Sequence, residues 1–218
     1  MKPQGWDQYV LVYNMLVGGD GIEISYVLYD LDEPYSEGVN PIVLGSGVYE
    51  NIPAWGVFEE GVVAWFDGTS IKIYNLNDTT PQVQSFDVAT SVVSLSVNQD
   101  YVTWSINNDG EINGIGYKSL SDLESDPVEI YEQEIFGPSI GPKLYGDHLI
   151  YMVTYVANRT ADIIYYDLSS NERYFAQQNI DFDVYSWYEY GFVYLLLFPP
   201  YDISDTTLYW GDLPDVYH

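Results

Sequence analysis

Apolar residues along this chain alternate with polar ones at a period of two, or gather in short blocks that end at a turn-forming residue. The block Ile163-Ile164-Tyr165-Tyr166-Asp167-Leu168 is one example, and the longest block, residues 192–198, ends at Pro199-Pro200. Gly, Asn, Asp and Pro interrupt the pattern about every 8 to 12 residues, as they do between short strands. The pattern therefore predicts β-strands throughout, and no stretch has the periodicity that predicts an amphipathic helix.

The strand pattern repeats along the chain. Apolar runs that end in an aromatic residue and then a leucine recur five times, and the closing leucines are Leu31, Leu76, Leu120, Leu168 and Leu213. Consecutive leucines are 45, 44, 48 and 45 residues apart, so five such copies account for nearly the whole chain. A fixed period in this range indicates a repeat architecture.

A second position recurs in phase with the leucines. Upstream of each leucine lies an apolar strand that ends in an aromatic residue, and the last four repeats place Trp65, Trp104, Tyr151 and Tyr194 there. In the first repeat either Val12 or Tyr13 fills this position. Because a sheet in a repeat protein must bury its faces against its neighbours, we interpret the four aromatics as inter-blade core and not as ligand platforms.

Each repeat holds up to four short apolar runs separated by hairpin turns such as Asp67-Gly68-Thr69. Four antiparallel strands per repeat, arranged around an axis, are typical of the β-propeller. The sequence therefore predicts an all-β fold, a β-propeller of five blades, as a single domain over residues 1–218. A β-solenoid has shorter coils, and a β-sandwich does not explain the period. The five repeats span about residues 1–47, 48–89, 90–134, 135–180 and 181–218.

The two ends of the chain depart from the repeat. The first repeat has only residues 1–6 for its inner strand, and the fifth lacks an outer strand, since only residues 214–218 follow Leu213. An unpaired sheet edge invites pairing with another chain. We expect a closed five-bladed ring. The alternatives are a piece of a larger propeller, or a subunit that self-associates through its terminal blades by means of residues 1–8 and 206–218.

Two stretches, residues 53–68 and 161–172, resemble the TolB-like propeller repeats of archaeal and bacterial surface proteins. In that family a strand ending in Val-Val-Trp precedes an Ile-Tyr-x-Tyr-Asp-Leu strand. The resemblance implies an extracellular or cell-surface module that binds proteins or glycans or spaces other domains, and it implies no activity. Residues 116–119 depart from the family pattern. Residues 1–7 have no hydrophobic segment of signal-peptide type, which leaves a mature form, another export route or an internal location open.

The charge of the chain limits its partners. Six Lys and Arg residues face 33 Asp and Glu residues, for a net charge of −27. Nucleic-acid binding depends on Lys and Arg, so we expect no nucleic-acid partner, and anionic membrane surfaces are disfavoured for the same reason. No apolar run is long enough for membrane insertion as a helix. The absence of cysteine excludes disulfides and thiolate chemistry. Such acidity suits a salty setting, or keeps a tyrosine-rich protein soluble.

The chemistry-bearing residues form no recognisable catalytic set. His148 lies within a predicted strand and His218 at the terminus, so neither fits a nucleophile–His–acid arrangement, and we interpret His148 as an edge or inter-blade residue. No glycine-rich phosphate loop precedes a helix. We expect no cofactor, with Ca²⁺ left open by the carboxylate clusters at residues 30–33, 107–111 and 202–205. None of these clusters has the full spacing of a calcium loop.

The expected binding site is one mouth of the central channel. Acidic and aromatic residues just before the inner strands are predicted to rim it: Tyr49, Glu50, Trp55, Glu134, Phe136, Asp181, Asp183 and Tyr185. Aromatic faces there would stack on sugars or on side chains of a partner. Two carboxyl groups about 5 to 9 Å apart would instead make a glycosidase site, but the inner strands carry few carboxylates.

The sequence therefore predicts a non-enzymatic, extracytoplasmic β-propeller that binds a protein or a glycan, or that serves as a structural or assembly module. A propeller-type glycoside hydrolase or lyase is the first alternative. The second is a self-assembling surface or filament subunit that pairs through open edge strands.

Overall fold

The computed structural model describes residues 4–6, 9–18, 21–31, 41–49, 56–108, 111–131, 142–155, 160–181, 183–187, 193–197, 201–204 and 207–210. No side chain is described before Tyr9 or after Asn179. The described residues form twenty strands and no helix, and every strand pairing is antiparallel. In this part of the chain no helix long and apolar enough to cross a membrane is found.

Four sheets follow one another along the chain, and each is a meander of four strands in sequence order. The first sheet contains β1 (Gln4–Trp6), β2 (Tyr9–Gly18), β3 (Gly21–Asp30) and β4 (Ile42–Tyr49). The second contains β5 (Val57–Glu59), β6 (Val62–Phe66), β7 (Ser70–Asn75) and β8 (Gln84–Asp87). The third contains β9 (Ser91–Val97), β10 (Tyr101–Asn108), β11 (Glu111–Ser119) and β12 (Val128–Tyr131). The fourth contains β13 (Lys143–Tyr145), β14 (His148–Tyr155), β15 (Thr160–Asp167) and β16 (Glu172–Asp181).

The all-β prediction of four antiparallel strands per repeat is confirmed for these four sheets. The first repeat is less reduced than expected, because β1 has three residues, as many as β5 and β13. Its outer strand continues to Tyr49 and that of the fourth sheet to Asp181, slightly past the expected repeat boundaries. The loops that follow the first and fourth sheets therefore begin later than the apolar pattern predicted.

The fifth repeat differs from the prediction of three strands. It forms two separate hairpins, β17 (Asp183–Trp187) with β18 (Val193–Leu197), and β19 (Tyr201–Ser204) with β20 (Thr207–Trp210). The sequence analysis missed β19, because Asp202 and Ser204 read as a loop or a calcium ligand cluster. In the strand, Tyr201 pairs with Trp210 and Ile203 with Leu208, so the four residues alternate as a strand requires.

The inner strands of successive sheets lie side by side. β1 adjoins β5, β5 adjoins β9, and β9 adjoins β13, while β13 also adjoins β19 in the second hairpin of the fifth repeat. This succession is the arrangement of a propeller, in which the innermost strand of each blade borders the central axis. Among the described strands no sheet closes on itself, so a ring of five blades is not established by the strand pairing.

The repeated leucines have a backbone role at the turns. Leu76 N–H donates to the Gly61 carbonyl at 2.9 Å, Leu120 N–H to the Asp100 carbonyl and Leu168 N–H to the Asp147 carbonyl, both at 2.8 Å. Each bond joins the end of a third strand to the turn between the first and second strands. The turn Glu60-Gly61 has positive φ at both residues, as a two-residue hairpin of type I′ requires.

Aromatic side chains fill the spaces between neighbouring sheets. Tyr26 of the first sheet lies 5.8 Å from Trp65 of the second, and Phe86 of the second lies 5.7 Å from Trp104 of the third, between ring centroids. Tyr117 and Tyr166 make the corresponding contact between the third and fourth sheets at 6.1 Å. Trp65, Trp104 and Tyr151 are buried almost completely. The side chain of Tyr194 lies outside the described residues.

Candidate functional site

The two ends of the sheets carry different connections. At one end, here called the crossover end, the chain passes from one sheet to the next at residues 50–56, 88–90 and 132–142 and makes the hairpin at residues 67–69. At the opposite end, here called the turn end, lie the tight turns 60–61, 98–100 and 146–147 and the turn at residues 168–171. By their order in the chain, the predicted mouth residues fall at the end of an outer strand, at the start of the next inner strand or between the two.

The structure places part of the predicted mouth. Tyr49 ends β4, Asp181 ends β16, and Asp183 and Tyr185 lie in the first half of β17. Their backbone positions are described, but their side chains are not. Glu50, Trp55, Glu134 and Phe136 lie outside the described residues altogether. The shared site formed by these eight side chains therefore stays a prediction.

One carboxylate at the crossover end holds a hairpin together. Asp67 Oδ1 accepts hydrogen bonds from Thr69 N–H at 3.0 Å and Ser70 N–H at 2.8 Å, and Asp67 Oδ2 lies 3.0 Å from Lys72 Nζ. Partial burial acts to raise the pKa of Asp67, but the bonds to Thr69, Ser70 and Lys72 outweigh it and hold the pKa below its ordinary value. Ser70 Oγ donates to Asp87 Oδ1 at 2.7 Å, which ties β7 to β8.

A second carboxylate near the crossover end is buried, with only 6% of Asp162 exposed. Its Oδ1 accepts a bond from Asn179 N–H at 2.8 Å, and its Oδ2 accepts one from the Tyr155 hydroxyl at 3.2 Å. Asn179 has φ of 55°, and the β15–β16 register shifts between Ala161 and Ile163, across Asp162, and again between Ile163 and Ile164. Bulges of this kind re-aim side chains and are frequent beside functional sites.

The sequence analysis did not single out Asp162, because it treated Ala161–Leu168 only as a copy of the repeat. The signal was present: a charged residue interrupts an otherwise apolar run between Ala161 and Ile163. A buried carboxylate needs hydrogen-bond donors, and Asn179 and Tyr155 supply them. Asp162 is therefore the carboxylate of the described residues whose surroundings differ most from a solvated loop acid.

The turn end is acidic across three sheets. Asn98 Oδ1 accepts bonds from Asp100 N–H and Tyr101 N–H at 3.0 and 2.8 Å, while Asn98 Nδ2 donates to the Gly146 carbonyl of the fourth sheet at 2.8 Å. Burial first, and then the charges of Asp147, Asp100 and Asp167, raise the pKa of Tyr101. These carboxylates thus surround one tyrosine at the boundary between the third and fourth sheets.

His148 is part of a polar–aromatic row on the fourth sheet. Its Nδ1 lies 2.7 Å from the Tyr165 hydroxyl, and the two ring centroids are 4.9 Å apart. Burial first, and then the charge of Asp167, raise the pKa of Tyr165. Tyr174 continues the row at 6.0 Å from Tyr165. His148 is half-buried at the start of β14, where its partner is a phenol, an arrangement that stabilises the sheet surface.

Within the described part of the chain, no group of three or more His, Asp or Glu side chains is placed to hold a metal ion. Of the three carboxylate clusters considered for calcium, residues 202–204 lie in β19 and residues 107–108 in β10. The remaining residues of these clusters fall partly outside the described ranges. Calcium binding stays a prediction.

Comparison with known proteins relates the chain to three solved structures. Dipeptidyl peptidase 4 from Porphyromonas gingivalis is 11% identical over 81% of this chain and 32% of the peptidase, with a TM-score of 0.52. TolB from Acinetobacter baumannii is 14% identical over 81% of this chain and 49% of TolB, with a TM-score of 0.38. The α-L-arabinofuranosidase PaAbf62A from Podospora anserina, solved in complex with cellotriose, is 12% identical over 74% of this chain and 61% of the enzyme, with a TM-score of 0.36.

The likeness to the peptidase shows a propeller-type fold, and at this identity it shows the fold alone. The chain spans about a third of the length of that peptidase and about half of TolB. No protein-family model matches the sequence, and no curated protein matches it.

Proposed function

We propose that this chain is a non-enzymatic β-propeller, of five blades and located outside the cytoplasm, that binds a protein or a glycan at its crossover end. The propeller-type fold gives the framework, since loops at one end of stacked sheets are held rigidly and present side chains together. The TolB-like resemblance of residues 53–68 and 161–172 supports a surface location, and the net charge of −27 suits a soluble protein in a salty medium.

The observation that carries the non-enzymatic proposal is that polar side chains at three turns hydrogen-bond to the backbone of their own turns. Asp67, Asn98 and Asp167 each accept hydrogen bonds from two backbone N–H groups of their own turns. Such side-chain bonds fix turns and keep hairpins in register. The side-chain chemistry at these three turns is therefore architectural, which favours a rigid scaffold for binding over a catalyst.

The proposed binding surface consists of the aromatic and acidic residues of the crossover end. Tyr49, Trp55 and Tyr185 would offer flat faces for stacking on a sugar ring or on a partner's side chain. Glu50, Glu134 and Asp183 would accept hydrogen bonds from hydroxyl or amino groups. A net acidic mouth favours a neutral glycan or a basic protein segment over an anionic ligand.

The test is a binding measurement with matched variants. We expect the purified protein to bind on a glycan array, or to an extracellular protein of its source, and Trp55→Ala or Tyr185→Ala to weaken that binding about tenfold or more. Tyr174→Ala is the control, because Tyr174 is an exposed aromatic near the start of the outer strand β16, at the turn end. Runs with and without calcium separate a metal-assisted site from a metal-free one. Equal binding by all variants would contradict the proposed surface.

The hydrolase or lyase alternative is favoured by one observation, the buried carboxylate of Asp162. A glycosidase needs a carboxyl group in a partly dry environment as its acid. Incubation with chromogenic glycosides and polysaccharides tests this directly. Turnover that Asp162→Asn abolishes, while the folded content stays the same, would overturn the non-enzymatic proposal.

Protease accessibility on intact cells of the source tests the extracytoplasmic location.

A further inference from the structure

One face of the first sheet points away from the second sheet. Tyr13 pairs across the strands with Tyr26, and Tyr26 contacts Trp65 of the second sheet. Directly opposed residues share a sheet face, and neighbours along a strand point to opposite faces. Val12 therefore points away from the second sheet, together with its cross-strand partners Val27 and Val43. This settles the position left open by the sequence: Val12, and not Tyr13, corresponds to Trp65.

The face defined by Val12, Leu16, Val27 and Val43, here called the open face, is exposed except at the half-buried Val27. Val12 is 37% exposed, Leu16 67% and Val43 73%. The residues at the position of Val12 in the next three sheets, Trp65, Trp104 and Tyr151, are at most 1% exposed. Trp65 and Trp104 are covered by the sheet that precedes each of them, whereas among the described strands no sheet precedes the first one in the chain.

The open face is also uncharged over most of its area. Besides its aliphatic residues it carries Asn14, Ser25 and Tyr29, and its one charged residue among the described side chains is Glu23, opposite Leu16 near the hairpin end. In a chain with 33 acidic residues, a sheet face with a single carboxylate is unlike the rest of the surface. Contiguous exposed apolar patches of this kind mark interaction sites.

We propose that the open face is the contact surface between two copies of this chain, which pair through the same face on each copy. The opposite end of the row of sheets offers no such surface in the described residues, because Ile150, Met152 and Ile163 on the far side of the fourth sheet are at most 2% exposed. Among the described side chains, the apolar sheet face that matches the open face is therefore the open face of another copy. Twisted sheets pack face to face readily, and a twofold pairing closes without forming a fibre.

The size of the face sets the strength of the pairing. The strands β2 and β3 have ten residues each, so the face is about 33 Å long, and three strands make it about 14 Å wide. A pair of such faces removes on the order of 1,000 Å² of surface from water, the lower limit for a specific interface. The dimer is therefore weak and depends on protein concentration. Because each copy carries a charge of −27, the dimer becomes stronger as salt screens the repulsion.

This inference goes beyond the proposed function, because it concerns a sheet face and not the crossover end. It requires that the fifth repeat leave the open face free, so it holds for an open row of blades and not for a closed ring. It also differs from the self-association expected from the sequence, which relied on edge strands in residues 1–8 and 206–218. Edge pairing adds strands to a sheet, whereas the open face buries side chains between two sheets.

Sedimentation equilibrium over a range of concentrations, at about 0.1 and 1 M NaCl, tests the proposal. We expect a monomer–dimer equilibrium that shifts to dimer at the higher salt. Val43→Asp and Leu16→Asp should weaken the dimer about tenfold or more by placing a carboxylate in the contact. Val83→Asp is the matched control, since Val83 is an exposed valine in the loop before β8, and it should leave the equilibrium unchanged. A protein that stays monomeric at both salts overturns the proposal.

A chemical crosslink distinguishes the other occupants of the face. The chain has no cysteine, so Val43→Cys carries a single thiol, and a short bismaleimide should link two copies of it, while Val83→Cys gives no linked dimer. If Val43→Cys resists maleimide in a monomer, the chain's own last repeat covers the face and the proposal is wrong. If larger oligomers form without a Val43→Cys crosslink, the copies join head to tail, which also overturns it.

Discussion

One position of the repeat has different surroundings in two parts of the molecule. It is covered in the contact between the second and third sheets, and it is exposed on the open face of the first sheet. In the contact, Trp104 is buried beside Phe86, and the Lys118 ammonium group lies 5.4 Å from the centre of the Phe86 ring while it donates to the Ser125 carbonyl. On the open face the corresponding residue is Val12, which is 37% exposed. The size of the residue at this position therefore follows the presence or absence of a neighbour.

The comparison shows where the stability of such a protein resides. A large aromatic residue gains its full transfer free energy only if a second sheet covers it, and an exposed one promotes aggregation. Valine at the uncovered position limits the exposed apolar area and keeps the strand propensity. Lys118 adds a cation–π contact and hydrogen bonds where the interface is sealed, so polar and apolar interactions reinforce the same contact.

The largest expected effect is the loss of the aromatic residue from the sealed contact. Trp104→Ala should lower the free energy of unfolding by about 3 to 5 kcal/mol, because it leaves a cavity between two sheets. Val12→Ala should cost less than about 1 kcal/mol, since part of Val12 remains in water in the folded state. Urea unfolding of both variants measures the two values. Similar losses for both would show that the open face is as covered as the contact.

The next effect tests the close approach that the tryptophan needs. Gly116 lies opposite Trp104 in β11, and a Cβ atom at Gly116 would be 2.1 Å from Trp104 Cε2. Gly116→Ala should therefore displace the indole ring and cost about 3 kcal/mol or more. Thermal unfolding, together with the near-ultraviolet circular dichroism of the tryptophans, follows both changes.

The control for this glycine is Gly146, in the turn before β14. A Cβ atom at Gly146 meets nothing within 4 Å, but its φ of 53° is strained for other residues. Gly146→Ala should cost about 1 kcal/mol with no change in the tryptophan signal. If Gly116→Ala behaves like Gly146→Ala, the sealed contact is looser than the structure indicates, and its contrast with the open face is weaker.

The apolar pattern predicted most of the strands because each repeat carries two recurring markers of its sheet. These are the closing leucine and the aromatic residue of the second strand. It could not decide between Val12 and Tyr13, since only the register with β3 shows which residue points outwards. It missed β19, where Asp202 and Ser204 occupy one face of a four-residue strand. It also missed Asp162, whose burial depends on Asn179, seventeen residues away in the neighbouring strand. Tertiary contacts of this kind leave no periodic signal.

The burial of the tyrosines at the boundary between the third and fourth sheets can be tested by measuring stability at alkaline pH. Burial first, and then the neighbouring Tyr166, raise the pKa of Tyr117 to about 12, from an ordinary value of 10.0. The unfolded chain thus releases this proton before the folded one does, so the stabilisation is complete below pH 10 and is lost as the pH rises towards 12. The unfolding temperature should fall less steeply over this range in Tyr117→Phe than in the unmodified protein.

Tyr131→Phe, at an exposed tyrosine of β12, should keep the slope of the unmodified protein. Tyr74, Tyr101 and Tyr165 also have raised pKa values, because burial disfavours their charged forms, so Tyr117→Phe reduces the slope without removing it. An unchanged slope in Tyr117→Phe would mean that water reaches this contact, as it reaches the open face.

The smallest expected effect concerns the charge of Asp67 at the crossover end. The pKa of Asp67 is held below its ordinary value of 3.8, so its stabilisation is present above about pH 4 and is lost as the pH falls through the lowered pKa. Asp67→Asn keeps an acceptor for Thr69 and Ser70 but loses the ion pair with Lys72, which should cost less than about 1 kcal/mol at pH 7. Glu124→Gln is the control, because it removes one charge from an exposed turn. It should raise the free energy of unfolding slightly by reducing the repulsion between acidic side chains. Thermal unfolding from pH 7 to pH 2 should bring Asp67→Asn and the unmodified protein together at the acid end. A constant difference at all pH values would assign the effect to the hairpin bonds and not to the charge.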